Sequence, residues 1–165
     1  MKKIIAFATA FCLSFVGMAQ DKAPASPKMT VETSNAKLTY GQPSKKGREI
    51  FGKLVPYGQV WRTGANEATT IEFKKEVTFG GKKVKAGTYS LFTIPGESEW
   101  TFILNSELGQ WGAYKYNEIK GKNVAEVKVK STTNATEVEK MTFNLDDSNL
   151  SLMWDKVKVS VPLKY

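Results

Sequence analysis

The amino-acid sequence predicts an all-β fold, an antiparallel β-sandwich or jelly roll. Three observations support this prediction: apolar residues alternate with polar ones, turn residues separate the alternating segments, and no segment has a convincing helical period. We therefore expect a set of short strands without an internal repeat. The alternating positions lie in the segments 71–73, 77–79, 100–104, 127–129, 150–154 and 157–161.

Turn residues mark where these strands end. Gly80-Gly81 lies between the alternating segments 77–79 and 82–84 and supplies the positive φ angles that a two-residue hairpin needs. We therefore predict a tight hairpin at this point. Further turns are expected where small or polar residues separate the later strands, at Ala86-Gly87, Pro95-Gly96 and residues 146–149.

The alternation changes phase near the end of the chain. Apolar side chains occupy even positions from Leu150 to Trp154 and odd positions from Val157. Because side chains of a strand point alternately to its two faces, one extra residue must be accommodated between these positions. The sequence therefore predicts a turn or a β-bulge near Asp155-Lys156.

The N-terminal residues predict a cleaved secretory signal over residues 1–19. A basic start precedes an apolar run that ends in Gly17-Met18-Ala19, so small residues occupy both positions that a signal peptidase reads. The run has about 15 residues, fewer than the roughly 20 that span a bilayer, so no transmembrane segment is expected. Residues 20–30 are predicted to be a flexible leader and residues 31–165 a single β-sandwich domain. We expect an exported protein, periplasmic or extracellular.

Composition excludes several kinds of chemistry. The 165-residue chain has no histidine, which removes Ser-His-Asp triads, imidazole general bases and histidine-bearing zinc sites. Its one cysteine, Cys12, lies in the predicted signal, so the mature domain must be stabilised by an apolar core without disulfides. We expect no cofactor and no metal, and the prediction about enzymatic activity leans towards none.

The chain is basic, with 24 Lys+Arg against 16 Asp+Glu and a net charge of +8. This charge favours anionic glycans, phosphates or membrane surfaces as partners, whereas nucleic acid is not expected outside the cytoplasm. Many lysines alternate with valines, so we expect them on the solvent faces of strands, where they protect sheet edges. These residues are Lys83, Lys85, Lys128, Lys130, Lys156 and Lys158.

The segment 40–70 fits neither the strand nor the helix period. It has five glycines and two prolines among aromatic and charged residues. Long irregular segments in a compact domain are usually functional loops or packed surface loops. Arg48 and Arg62, the two arginines of the chain, both fall in this segment. The planar guanidinium of arginine can hold a carboxylate, sulfate or phosphate with two hydrogen bonds, which lysine cannot do.

This segment is therefore the predicted binding site for a glycan or a small anionic ligand. Trp61 and a tyrosine would lie under a flat ligand while neighbouring polar side chains hydrogen-bond its polar groups. A second aromatic cluster, residues 110–116, would complete one wall of the cleft. The candidate residues are Tyr40, Arg48, Tyr57, Trp61, Arg62, Asn66, Glu67 and Trp111.

Two other interpretations stay open. The arginines could bridge Glu49, Glu67 or loop carbonyls and pin the loop over the end of the sandwich, in a structural or protein-interaction module of the cell envelope. Alternatively, Glu67 could act with a second carboxylate in a glycoside-type hydrolase, a chemistry that needs no histidine. The sequence makes no prediction of oligomeric state.

Several motifs resemble those of a known family. They are Tyr-Gly-x-Pro at 40–43, Lys-Gly-Arg-x-Ile-Phe-Gly at 46–52, Leu-Val-Pro-Tyr-Gly at 54–58, Val-Trp-Arg-Thr-Gly-Ala-Asn-Glu-Ala-Thr at 60–69, Gly-x-Tyr-Ser-Leu at 87–91, and Trp-Thr at 100–101 with Asn105. With these motifs, the sequence resembles an uncharacterised family of exported bacterial proteins, the domain-of-unknown-function family 2911, over about residues 36–163. The resemblance implies an exported β-rich domain and supplies no activity.

Overall fold

A computed structural model describes residues 26–165, and the predicted signal at 1–19 lies outside the described residues. One short helix, α1, spans Tyr116–Ile119 and is followed by a 3-10 turn at Lys120–Lys122. The strands are β1 (Lys28–Glu32), β2 (Ala36–Gly41), β3 (Thr69–Phe73), β4 (Val77–Phe79), β5 (Lys82–Val84), β6 (Gly87–Ile94), β7 (Glu99–Asn105), β8 (Asn123–Leu145) and β9 (Asn149–Lys164).

The strands form one antiparallel sheet in the order β1-β2-β3-β6-β7-β8-β9-β4-β5. The sheet folds over along β8, because the first part of this long strand pairs with β7 and the second part pairs with β9. Strands that are not neighbours in the sheet then pack face to face. The ring centroid of Tyr40 in β2, for example, lies 5.0 Å from that of Phe143 in β8. The all-β prediction is confirmed, and the packing is consistent with a sandwich.

One large apolar cluster fills the space between the facing strands. It includes Phe73 of β3, Trp100 of β7 and Trp154 of β9, all almost fully buried. A smaller cluster lies on the other face of β6 and β7, where α1 packs Tyr116 edge-on against Phe92. Burial of such large side chains is the main source of folding free energy in a domain of this size.

The predicted hairpin is confirmed. Strands β4 and β5 pair with Val77 opposite Val84, and Gly80 and Gly81 have φ angles of 53° and 89°. Both angles lie in the left-handed region that the turn requires and that glycine adopts without strain. The other three predicted turns also fall between strands, before β6, before β7 and before β9.

The turn before β9 is held by Asp146. Its carboxylate accepts hydrogen bonds from the backbone N–H and the hydroxyl of Ser148 and from the backbone N–H of Asn149. These bonds favour the charged carboxylate and lower the pKa of Asp146 below its ordinary value. The side chain therefore supplies hydrogen bonds that a tight turn between long strands needs.

The predicted irregularity in β9 is also confirmed. Asp155 has a φ angle of 54°, and the pairing of β8 with β9 changes register on both sides of Val138, the residue opposite Asp155. The Lys45 ammonium lies 2.8 Å from the carboxylates of Asp155 and Glu137. The hydrogen bonds to these two carboxylates raise the pKa of Lys45, so the ammonium is held charged at the bulge.

Two elements were not predicted from the sequence. Strand β1 starts at Lys28, inside the segment predicted to be a leader, and pairs along β2 as an edge strand. Its residues are exposed or half-buried, so it lacks the apolar alternation that identifies the other strands. Helix α1 has four residues, which is too short to show a helical period.

The predicted lysines stand on solvent faces. All six, Lys83, Lys85, Lys128, Lys130, Lys156 and Lys158, are exposed. One of them, Lys128, makes an ion pair with Glu99 on the neighbouring strand β7. Within residues 26–165, no helix is long and apolar enough to cross a membrane.

Candidate functional site

The irregular segment between β2 and β3 is fixed to both halves of the sandwich. Trp61 exchanges two backbone hydrogen bonds with Thr93 of β6, at 2.7 and 2.9 Å. Near its start, the Lys45 N–H donates to the carbonyl of Glu139, and the Met141 N–H donates to the carbonyl of Pro43. The segment is therefore hydrogen-bonded to strands of both halves rather than being a mobile loop.

A strained turn follows Trp61. Thr63 has a φ angle of 56°, a conformation that costs a β-branched residue about 1–3 kcal/mol. Its buried hydroxyl hydrogen-bonds the Thr93 hydroxyl at 3.1 Å, and its carbonyl accepts from the Thr69 hydroxyl at 2.8 Å. These contacts offset the strain and fix the direction of the preceding side chain, Arg62.

Strand β2 approaches this turn closely at Gly41. The Ala65 N–H donates to the Gly41 carbonyl at 3.1 Å. A Cβ atom on Gly41 would lie 2.1 Å from the Ala65 carbonyl oxygen, far inside van der Waals contact. Gly41 is the last residue of β2. Because it has no side chain, the end of the strand and the turn can pack together.

A cavity of about 470 Å³ opens beside this turn. Its described lining carries three cationic side chains, Lys46, Arg48 and Arg62, and no carboxylate. Apolar residues form the rest of the wall together with a few small polar ones. These other lining residues are Ser26, Pro43, Ser44, Leu54, Val55, Trp61, Gly64, Ala65, Asn66 and Trp154.

The guanidinium of Arg62 has no partner among residues 26–165. Its Nε atom is buried and has no hydrogen-bond acceptor among the described residues. Across residues 26–165 its guanidinium also makes no ion pair, although five ion pairs occur elsewhere in that range. A buried N–H without an acceptor lowers the free energy of unfolding by about 1–3 kcal/mol. The Nε donor carries this cost until a ligand supplies an acceptor. The structural interpretation expects the arginines to bridge Glu49, Glu67 or loop carbonyls, and the Arg62 guanidinium makes none of these bridges within the described residues.

Arg48 has a different environment. Its side chain is exposed at the mouth of the cavity, and it donates to the backbone carbonyls of Ser44 at 2.6 Å and Lys45 at 2.9 Å. Two of its donors are therefore used to hold the loop, as the structural interpretation expects. The remaining N–H groups of its guanidinium are free to contact a ligand.

Trp61 belongs to the core more than to the cavity. The side chain is 9% exposed and stacks on Trp154 with ring centroids 6.0 Å apart and an interplanar angle of 17°. Phe51 and Trp100 pack edge-on against it. Its faces are therefore covered by protein, and little of the ring is left to serve as a stacking platform for a sugar.

The structure separates the other candidate residues. Asn66 lines the cavity and donates its side-chain amide to the Ser26 carbonyl at 3.3 Å. Tyr40 is a core residue whose hydroxyl accepts from the backbone N–H of Phe143, and Tyr57 is exposed outside the cavity lining. Glu67 and Trp111 are opposite each other in a backbone bridge on the other side of the turn. The cavity therefore unites Arg48, Trp61, Arg62 and Asn66 of the eight candidates.

Some lining residues were missed by the sequence analysis. Lys46 adds a third cation, and Leu54 and Val55 add apolar surface within the same segment. Trp154 comes from β9, more than 80 residues along the chain, and no local pattern of the sequence connects it to the arginines. The signals available for Lys46 were its position two residues before Arg48 and its place in the Lys-Gly-Arg motif.

The described residues offer no obvious metal site. Within residues 26–165 no group of three or more Cys, His, Asp or Glu side chains could hold a metal ion. The charged groups at the cavity are cations, which repel a metal and attract an anion. The arrangement can therefore bind negative charge through guanidinium and ammonium donors.

Comparisons with known proteins place the chain in a family. No curated protein and no solved structure matches the sequence. The profile of one family, described as protein of unknown function (DUF2911), matches residues 23–163. This match confirms the resemblance to the domain-of-unknown-function family 2911. Because it covers most of the chain, the protein belongs to this family of proteins of unknown function.

Proposed function

We propose that the protein is a noncatalytic binding protein whose cavity beside the turn at Arg62 holds a small anionic ligand. The observation that carries this proposal is the guanidinium of Arg62, which lines the cavity without a partner among the described residues. A carboxylate, sulfate or phosphate oxygen would supply the acceptor that the buried Nε lacks. Lys46 and Arg48 would add charge at the mouth.

The cavity favours an anion over a neutral glycan. Three cations and no carboxylate are among its described lining residues, so the lining itself carries positive charge, which attracts anions. A neutral sugar would need an exposed aromatic face, whereas Trp61 and Trp154 cover each other. The volume of about 470 Å³ lies within the usual range for small-molecule sites, and the apolar wall suits a ligand with a nonpolar body behind its charged group.

Binding is favoured over hydrolysis by what the lining contains. Glycoside hydrolysis needs two carboxylates on either side of the scissile bond. The described lining has none, and Glu67 lines a different cavity on the other side of the turn. Hydroxyl groups of Ser26 and Ser44 are present, but no general base that could activate them lies in the described lining.

Thermal unfolding in the presence of anions tests the proposal. Sulfate, phosphate and glucuronate are each titrated at constant ionic strength, with chloride as the reference anion. A ligand at 100 times its dissociation constant adds about 2.7 kcal/mol to the free energy of unfolding, which is a shift of several degrees. We expect at least one of these anions to raise the melting temperature, and Arg62→Lys to lose most of the rise because the ammonium cannot form the two-pronged contact.

A matched pair of charge-loss variants separates the cavity from general electrostatics. Arg62→Gln and Lys83→Gln remove the same charge, but Lys83 is exposed on β5 and lies outside the described lining. We expect the anion response to fall in the first variant and to persist in the second. Equal losses in both, or no response of the parent protein to any of the three anions, would contradict the proposal.

We propose as well that this binding protein is exported. The supporting feature is the N-terminal sequence, with its basic start, apolar run and small residues at 17 and 19. Mass spectrometry of the protein recovered from its native cells is expected to show a chain that begins at Gln20. An intact N-terminal Met1 on the functional protein would contradict export by this route.

A further inference from the structure

The loop that follows β7 exposes an unusual amount of aromatic surface. Trp111 is 63% exposed and Tyr114 is 80% exposed, and Leu108 in the same loop is also exposed. The other three tryptophans of the chain, Trp61, Trp100 and Trp154, are all buried. Exposed apolar side chains that form a group often mark an interaction site, whereas singly scattered ones do not.

This aromatic loop is held in place by backbone hydrogen bonds. The Ala68 N–H donates to the Gln110 carbonyl at 2.9 Å, and the Gly112 N–H donates to the Asn66 carbonyl at 3.0 Å. The Tyr114 ring rests on Gly112, where a Cβ atom would lie 2.7 Å from the ring. The rings are therefore presented by an ordered backbone, which reduces the entropy lost when they bind a ligand.

A polar cavity lies beside these rings. It has a volume of about 270 Å³, and its described lining includes Thr39, Thr70, Gln110 and Glu67. Trp111 and Glu67 are directly opposite each other in an antiparallel bridge, an arrangement that puts both side chains on the same face. Trp111 is therefore a direct neighbour of Glu67, a residue of the cavity lining, although Trp111 does not itself line the cavity.

We infer that this surface binds a neutral oligosaccharide, with one sugar ring stacked on Trp111 and its hydroxyls bonded to Glu67, Gln110 and the two threonines. A pyranose has an apolar face of C–H groups that fits an exposed aromatic ring and an edge of hydroxyls that needs paired donors and acceptors. Trp111 offers the exposed ring, and the cavity lining offers the hydrogen-bond donors and acceptors. Its one acid, Glu67, is balanced by Lys28 in the same lining, so the site does not select for charge.

A lipid surface fits the same loop less well. Aromatic residues that enter a bilayer interface are accompanied by apolar or cationic neighbours, because a carboxylate is repelled by anionic headgroups. Leu108 and Lys28 are neighbours of this kind, but the side chain opposite Trp111 is a carboxylate, and the hydroxyl and amide groups that line the adjoining cavity would stay unpaired against a lipid surface. The oligosaccharide site is independent of the anion cavity, since Glu67 does not line the cavity of Arg62.

Quenching of tryptophan fluorescence by acrylamide, a neutral molecule that the cationic cavity does not attract, provides the test. Because Trp111 is the one exposed tryptophan of the four, it should account for most of the quenching. Cellohexaose, chitohexaose and maltohexaose are titrated separately, and binding is confirmed by calorimetry. We expect at least one of them to protect Trp111 from acrylamide. We expect Trp111→Ala to weaken calorimetric binding about tenfold or more, Trp111→Phe to retain part of it, and Glu67→Ala to weaken it without changing the folding of the protein.

Two controls make the outcome decisive. Leu108→Ala removes an exposed apolar side chain from the same loop, and Arg62→Lys alters the anion cavity; neither should change oligosaccharide binding. The inference is overturned if none of the three hexasaccharides binds at millimolar concentration. It is also overturned if Leu108→Ala weakens binding as much as Trp111→Ala, or if Trp111 is protected by phosphatidylcholine vesicles and not by any sugar.

Discussion

Arg62 has one feature that a hydrogen-bonded structural arginine would not have. Its Nε atom is buried without an acceptor among the described residues. This feature carries a free-energy cost of about 1–3 kcal/mol in the protein without ligand. Arg48, by contrast, donates to two loop carbonyls. The two arginines therefore differ in role: Arg48 holds the loop, and Arg62 presents unused donors.

This difference predicts that removing the Arg62 guanidinium stabilises the protein when no anion is bound. Arg62→Met keeps an unbranched side chain against the cavity wall and removes the unsatisfied donor, so the free energy of unfolding should rise by about 1 kcal/mol. The corresponding rise in melting temperature is about 3 °C for a domain of this size. Urea unfolding in a buffer without sulfate or phosphate measures the change.

The matched variant is Arg48→Met. It removes hydrogen bonds to the carbonyls of Ser44 and Lys45, so its free energy of unfolding should stay constant or fall. If Arg62→Met instead loses 1 kcal/mol or more, as roughly expected when an ion pair is broken, Arg62 has a structural partner and the binding role assigned to it is wrong.

Among the elements, the junction between β2 and the turn at residues 62–66 decides where Arg62 lies. Gly41 lies at the end of β2, and a Cβ atom on this residue would lie 2.1 Å from the carbonyl oxygen of Ala65. Gly64 is confined as well, since its Cβ would lie 3.0 Å from the Gly41 carbonyl oxygen. Two backbones therefore pack directly against each other, and the turn has little freedom to move without breaking the pair.

We predict that Gly41→Ala displaces this turn. The added methyl group meets backbone rather than a flexible side chain, so the free energy of unfolding should fall by about 1–3 kcal/mol and the anion response should fall with it. Gly121→Ala is the control, because a Cβ atom there meets no heavy atom within 4 Å and should change stability by less than about 0.5 kcal/mol. Equal stabilities of the two variants would show that the junction is not constrained as described.

At this scale the sequence was most informative about single elements. The Gly80-Gly81 hairpin and the irregularity at Asp155 were predicted because each has a local signal, a turn dipeptide in one case and a change of alternation in the other. Tyr40 is a core residue that also lines the smaller cavity beside Glu67, and a signal for its burial existed, because it shares its strand phase with Leu38. Strand β1 had no such signal, because an edge strand with two exposed faces needs no apolar period.

For the whole molecule, the sequence could indicate the class of fold and not the pairing of distant strands. That β9 pairs with both β8 and β4 depends on contacts between residues far apart in the chain, such as Phe79 with Leu163. The anion cavity has the same origin, because Trp154 of β9 closes a wall whose cations come from residues 46–62. Local patterns carry no information about such contacts, which only the folded topology brings together.

The fold-over of the sheet along β8 joins the two halves into one cooperative unit. Phe143 is buried in the second part of β8, and its ring packs edge-on against Tyr40 of β2, in the other half. The core cluster likewise includes residues from β2, β3 and β7 together with residues from β8 and β9. Neither half can lose its core contacts without exposing apolar surface of the other, so the two should unfold together.

We therefore predict that Phe143→Ala lowers the free energy of unfolding by about 3–5 kcal/mol while the transition stays two-state. Tryptophan fluorescence reports Trp61, Trp100 and Trp154 inside the core, and far-UV circular dichroism reports all the strands, so the two urea curves should coincide in the parent and in the variant. Tyr114→Ala removes a ring of similar size from an exposed position and should change the free energy by less than about 0.5 kcal/mol. Separate fluorescence and dichroism transitions in Phe143→Ala would mean that the halves are independent, because the loss of one core contact would then leave one of them folded.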